Sequence, residues 1–196
     1  MMSNAIRTHM EISAQVKLAV ADACSDSAEK AAYAIAKSLK QNGKLMLCGN
    51  GGSAGDAQHL AAEFVATLNH RNPRPGLAAL ALTTDTSFIT AYANDFGFDG
   101  IFERQIQALG HSGDVLIGIS TSGHSANVVK AMSYARANHI TTIAMTGEGG
   151  GTLADLADIL IAVPSTDTMH IQESHIALGH AITAMVETLM TADQSG

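Results

Sequence analysis

The residues best suited to chemistry in this chain are a histidine and a carboxylate four apart, His59 and Glu63, just after the glycine-rich stretch CGNGGSAG at 48–55. Spaced i and i+4, they share one helical face. Their neighbours Leu60, Ala61, Ala62, Phe64 and Val65 describe a largely buried helix, where an unpaired carboxylate is costly. Histidine and glutamate at this spacing ligate one metal ion in helical metal motifs; a solvated surface ion pair is the plainer alternative. A second concentration, HIQESHIALGH at 170–180, holds His170, Gln172, Glu173, His175 and His180. Gln172 and His180 are separated by about 12 Å of helix rise. For both to reach one ion, Gln172 must lie at a bent helix start or the site must draw on more than one subunit.

Three loops rich in glycine, hydroxyls or amides accompany these side chains. GNGGSA at 49–54 satisfies the dinucleotide pattern G-x-G-x-x-A. That fingerprint also needs an acidic residue about twenty positions on, and Asp85 stands well beyond that spacing. No Gly-Lys-Ser/Thr follows, so it is not a P-loop. What remains is a bare glycine turn, or a nest of N–H groups at a helix N-terminus suited to an anion or a polyhydroxylated ligand. In GISTSGHSANVV, Ser120, Thr121, Ser122 and Ser125 follow an apolar run and open a helix. One such hydroxyl would be routine capping, but this many exceed what a cap uses and make a phosphate cradle. In AYANDFGFDGIF, Asn94 and Asp95 are polar groups that can equally cap the next helix.

The elements that must hold these loops read as alternating strands and helices. Apolar runs at 44–48, 77–82, 115–119, 140–145 and 159–163 alternate with amphipathic segments at 54–66, 87–93, 101–109, 126–137, 152–157 and 168–190. Continuous apolar strands between helices predict an α/β domain: a three-layer, doubly wound fold with a five-stranded parallel sheet (flavodoxin-like). Ligands in such folds sit beyond the carboxyl ends of the strands, where the polar loops fall. The first forty residues predict N-terminal helices, one ending at a polar break, Ser25-Asp26-Ser27, and a second from Ala28 to Leu39 closed by Asn42-Gly43. The expectation is one domain over 1–196 with an N-terminal helical extension at about 1–41, a surface loop at 69–76 and a frayed end at 191–196.

Composition narrows the function classes. At 46% hydrophobic residues the chain supports a substantial core. Charged residues are 15%, the formal net charge is −7 and no basic run occurs, which argues against nucleic-acid binding. The first residues form neither a secretory signal nor a membrane span, so a cytoplasmic location with no membrane partner is expected. Cys24 and Cys48 lack paired spacing and predict buried thiols, not a disulfide.

Together these stretches closely resemble the bacterial phosphoheptose isomerases, of the sugar-isomerase fold group. CGNGGS at 48–53, DAQHLAAEF at 56–64, ANDFGFDGIF at 93–102, GDVLIGISTSG at 113–123 followed by SANV at 125–128, and IQESHIALGH at 171–180 carry the resemblance, in the family's order, over nearly the whole chain. It implies a five-stranded parallel sheet, a homotetramer with active sites between subunits, and isomerisation of sedoheptulose 7-phosphate to D-glycero-D-manno-heptose 7-phosphate. That reaction opens ADP-heptose synthesis for the lipopolysaccharide core. The resemblance further implies that Asn50, Gly51, Gly52, Ser53, Asn94 and Asp95 contact the sugar and that Ser120, Thr121, Ser122 and Ser125 hold its phosphate. His59, Glu63, Gln172 and His180 would surround one zinc ion, Glu63 and Gln172 also touching substrate, with proton transfer carried by Glu63 and His180.

The chain departs from the family pattern at three places. His124 stands where Asn is usual, His170 where Arg commonly precedes IQE, and Ala66-Thr67 where Gly-Arg is common. The last two remove cationic contacts, one of which His170 would partly replace. Two other readings use the same scaffold. One is a tetrameric regulator that binds the replication initiator, which Glu63, Gln172 and His180 together argue against. The other is an isomerase of a different phosphosugar, with 67–76 as the loop that sets preference.

Overall fold

Strands β1 (Leu45–Gly49), β2 (Ala79–Ala81), β3 (Val115–Ser120), β4 (Thr141–Thr146) and β5 (Ile159–Ala162) form one all-parallel sheet in the order β2-β1-β3-β4-β5. The computed structural model describes residues 4–192. Strands β1 and β3 are buried throughout, which is why they read as unbroken apolar runs. Alternate residues serve opposite faces. Leu45, Leu47, Val115, Ile117, Ile119, Ile143 and Met145 face a layer made by α1 (Ala5–Lys40), α2 (Gly52–Val65) and α6 (Thr168–Thr191). Met46, Cys48, Leu116 and Ala144 face α4 (Ile101–Leu109) and α5 (Ala126–Ala137). A further helix, α3 (Thr86–Phe96), buries none of its residues. The three-layer, doubly wound architecture read from the sequence is the one observed.

The N-terminal break is not. Residues 5–40 form one helix of 36 residues running through Ser25-Asp26-Ser27. The buried stripe Val20, Cys24, Ala28, Ala31, Ala32, Ile35 continues across the polar triplet at helical spacing. Ser25 points outward and its hydroxyl donates to the Ala21 carbonyl at 2.5 Å, so the triplet interrupts nothing. Strand β2 is shorter than its apolar run because it lies at the sheet edge, and residues 151–156 form a 3-10 turn. Of the expected frayed end, 193–196 lie outside the described residues. Among the described residues, no helix is long and apolar enough to cross a membrane.

Both cysteines are buried and unpaired. Burial pushes the Cys48 thiol up to about 12 and raises Cys24 as well, so neither is a nucleophile at neutral pH. His175 is fully buried in α6 with Nε2 3.0 Å from the Thr146 carbonyl oxygen. Burial lowers its pKa from 6.5 to about 4, against a smaller opposing effect of that carbonyl. Above pH 6.5 both folded and unfolded forms are neutral and His175 adds no pH dependence. Between 6.5 and 4 only the unfolded chain takes up the proton, so stability falls with pH. At pH 5 the wild type is expected to have lost about 2 kcal/mol relative to pH 8 through this residue. Urea titrations of wild type and His175→Gln at both pH values check this; parallel losses in the two proteins would contradict it.

Candidate active site

The strand order reverses between β1 and β3, so the loops leaving them diverge and open a crevice at the carboxyl edge of the sheet. Gly49 pairs with Ile119, which sets Asn50 beside Ser120. Gly51 then takes φ 57°, ψ −121°, a backbone state that side-chain-bearing residues rarely adopt, and turns the chain into α2. Asn50 and Asn127 exchange amide hydrogen bonds of 2.9 and 2.8 Å, tying the glycine turn to the first turn of α5. Ser53 is buried in the turn, and a Cβ placed on Gly52 would lie 3.5 Å from Gln172 Cγ. The turn therefore abuts the start of α6. Beside it, Asn50, Gly51, Thr83, Phe98 and Phe102 help line a depression of about 180 Å³.

The hydroxyl loop is not spent on capping. Ser125 is the N-cap of α5 yet makes no capping hydrogen bond. Its Oγ lies 2.9 Å from Ser120 Oγ, which is 3.4 Å from Ser122 Oγ. Thr121 accepts from the Gly147 N–H through its carbonyl, fixing the loop while its side chain stays half-buried. Clustered hydroxyls at the N-terminus of a three-turn helix form a site for an anion. His124 makes its contact elsewhere: Nδ1 accepts from Thr152 N–H at 3.3 Å and lies 2.9 Å from Thr152 Oγ1, bracing the loop against the 3-10 turn.

Helices α2 and α6 bring the acid–base side chains together. Leu60 packs onto Gly179, where any Cβ would come within 2.6 Å of it, so the helices meet closely at that point. One residue to either side, His59 Nε2 and His180 Nε2 are 2.8 Å apart with their rings edge to face. Glu63 Oε1 is 3.6 Å from His59 Nε2, and its side chain is 21% exposed. Gln172 is on the same unbroken helix as His180, but its amide donates to both Asp56 carboxylate oxygens, at 2.7 and 2.8 Å. The expected quartet thus divides in one chain into His59, Glu63 and His180 on one side and Gln172, held by Asp56, on the other. Helix α6 is continuous from Thr168 to Thr191.

Asp56 and Asn127, absent from the residues expected from sequence, are bonded to two that were, Gln172 and Asn50. Asp56 is 6% exposed. Burial raises its pKa, opposed by the Gln172 hydrogen bonds and the fields of His59 and His180. The signal was available: positions 56, 59 and 63 share one helical face. Asn127 had no comparable signal, because its partner is a loop residue of another strand.

Other expected residues fall elsewhere. Asn94 and Asp95 are exposed on the last turn of α3, where Asn94 Nδ2 donates to Asp95 Oδ1 at 2.8 Å. They do not cap the next helices, whose N-caps are Gly97 and Gly100. His170 does not replace a missing cation at the crevice; it is 5% exposed and faces His9 and Glu173. Glu173 is held at about 2, first by the Ser13 hydroxyl and next by His9. Thr67 turns to Glu187 at 3.1 Å, as does Arg74 at 2.9 Å. Among the described residues, the cluster of histidines and carboxylates whose donor atoms all lie within 4.8 Å of one another is His9, His170 and Glu173, not the crevice set.

Known proteins with this arrangement agree on its class. The SIS domain family model matches residues 10–147. A phosphoheptose isomerase of Rhodospirillum rubrum is 49% identical over 95% of this chain and 97% of its own. One from Thiobacillus denitrificans is 49% identical over 93% of each chain. The solved phosphoheptose isomerase of Neisseria gonorrhoeae superposes with a TM-score of 0.90 at 42% identity, covering 96% of this chain and 100% of that one. That of Francisella tularensis gives 0.91 at 36% identity, covering 96% and 99%. By the family match and by identity to these relatives over nearly its whole length, the chain belongs to the SIS domain family and, within it, to the phosphoheptose isomerases.

Proposed function

We propose that the chain isomerises sedoheptulose 7-phosphate to D-glycero-D-manno-heptose 7-phosphate, supplying heptose for lipopolysaccharide synthesis. The observation that carries this reading is the hydroxyl cluster of Ser120, Ser122 and Ser125 at a helix N-terminus, in a chain whose α2 and α6 also bring Glu63 and the His59–His180 pair together. The cluster, with Thr121, binds the phosphate. Asn50, Gly51, Gly52 and Ser53 form the floor under the sugar, and Gln172 contacts it from α6. Glu63 removes the proton on C1; those electrons form the C1–C2 double bond as O2 gains a proton. His180 carries the proton lost from O1 toward O2, and Glu63 returns its proton to C2 as the C1 carbonyl forms.

Zinc fits the donors present. His59, Glu63 and His180 are nitrogen and carboxylate groups from two facing helices, and the 2.8 Å imidazole contact needs to open by only about half an ångström to admit an ion. Bound there, with a Gln172 supplied by a neighbouring subunit as the further ligand, it would polarise the substrate carbonyl. Exposed apolar residues on and beside α1 and α3, Ile6, Met10, Leu18, Phe96 and Phe98, support assembly with further copies, read as a homotetramer. In that assembly a neighbouring subunit brings Asn94 and Asp95 to a crevice.

The test is NMR of sedoheptulose 7-phosphate with metal-stripped and zinc-restored protein. Aldose formation establishes the reaction; no turnover in either state, with the protein folded, removes the reading. Ser122→Ala is expected to raise KM about tenfold with kcat little changed, measured on the same substrate.

A further inference from the structure

Away from the crevice, the first turns of α1 meet the start of α6 at a cluster that the isomerase chemistry does not use. His9 Nε2 is 2.8 Å from Glu173 Oε1, and His170 Nδ1 is 3.5 Å from Glu173 Oε2. The two imidazole rings lie 4.6 Å apart. One donor atom of each residue lies within 4.8 Å of the other two. His170 is 5% exposed, and its Nδ1, turned into the cluster, has no hydrogen-bond partner. Buried ring nitrogens are normally satisfied, and an orphan is costly unless something else completes it.

We propose that His9, His170 and Glu173 bind a divalent transition-metal ion, with zinc the best match, at a second site separate from the crevice. Two imidazoles and one carboxylate are a zinc donor set with a fourth position left for water. Zinc bonds of about 2.0–2.2 Å set tetrahedral ligands roughly 3.3–3.5 Å apart. The His170–Glu173 contact, to Oε2, is already at that spacing, and the His9–Glu173 contact, to Oε1, opens by about half an ångström as the carboxylate turns to offer the ion one oxygen. Lys17 competes: its Nζ is 3.6 Å from Glu173 Oε2 and 2.5 Å from Ser13 Oγ. Its side chain is 43% exposed, so it swings into water as the ion enters. The structural consequence lies in α1. Among the described residues none before Ser13 is buried, so the first turns of the helix have few ties. An ion joining His9 to α6 pins them.

The experiment uses the full chain with His59→Ala/His180→Ala as background, which removes the crevice ligands. After chelator treatment, zinc chloride is titrated in by calorimetry. One equivalent per chain is expected in that background, and adding His9→Gln should weaken it at least tenfold. Zinc should also raise the thermal midpoint of the background protein and not of the His9→Gln form. His9 is a third exposed, so its replacement leaves the fold intact, checked by circular dichroism. No zinc binding in the background protein, or equal binding with and without His9, overturns the proposal.

Discussion

Glu63→Gln is expected to lower kcat by about 10²–10⁴-fold with thermal unfolding close to wild type. The substitution keeps shape and removes only the group able to accept a proton from carbon. Glu63 sits 3.6 Å from His59 Nε2 with its side chain 21% exposed, so the amide fits without a buried charge being lost. Turnover in deuterated water locates the defect: exchange at C1 and C2 of the sugar should vanish with the turnover. His180→Gln should instead slow product formation while exchange at carbon persists, because its proton moves between oxygens. A Glu63→Gln enzyme retaining more than a tenth of wild-type kcat would remove the base from the scheme.

Glu187→Ala is expected to cost about 3–5 kcal/mol of stability, a large share of a domain's total. Glu187 accepts from Thr67 Oγ1 at 3.1 Å, Leu68 N at 2.8 Å and Asn69 N at 3.2 Å, and pairs with Arg74 at 2.9 Å. The Arg74 side chain is 2% exposed. It also donates to the Glu63 and Phe64 carbonyls, at 3.0 and 2.8 Å, closing the end of α2, and to the Pro75 carbonyl at 3.0 Å. Removing the carboxylate leaves that guanidinium buried without a counter-charge and releases the loop after α2. Urea unfolding should show Glu187→Gln between wild type and alanine, since the amide oxygen still accepts but carries no charge. A loss under about 1 kcal/mol for alanine would mean water replaces the carboxylate. Arg74, one of the two arginines in this loop, is turned inward to hold the helix that carries Glu63.

The sheet and its flanking helices were legible because their signal is local. Runs such as residues 115–119 are apolar at every position only when both faces are covered, and the polar loops fall where parallel strands end. The N-terminal helix was misread for a local reason too. Ser25-Asp26-Ser27 looks like a breaker in sequence, but the buried stripe on the opposite face continues through it.

By itself the sequence determined the strand–helix alternation, the glycine turn, the hydroxyl loop and the helical pairing of His59 with Glu63, all set within a few residues. Tertiary structure alone decided which side chains meet across elements. Asp56 takes the Gln172 amide, Asn50 takes Asn127, and His170 turns to His9 instead of the crevice. The first two pairs are 116 and 77 residues apart, and His170 and His9 lie near opposite ends of the chain. A polar side chain's partner is fixed by helix crossing and burial, here by the closeness that Gly179 allows between α6 and α2, and no local periodicity encodes it.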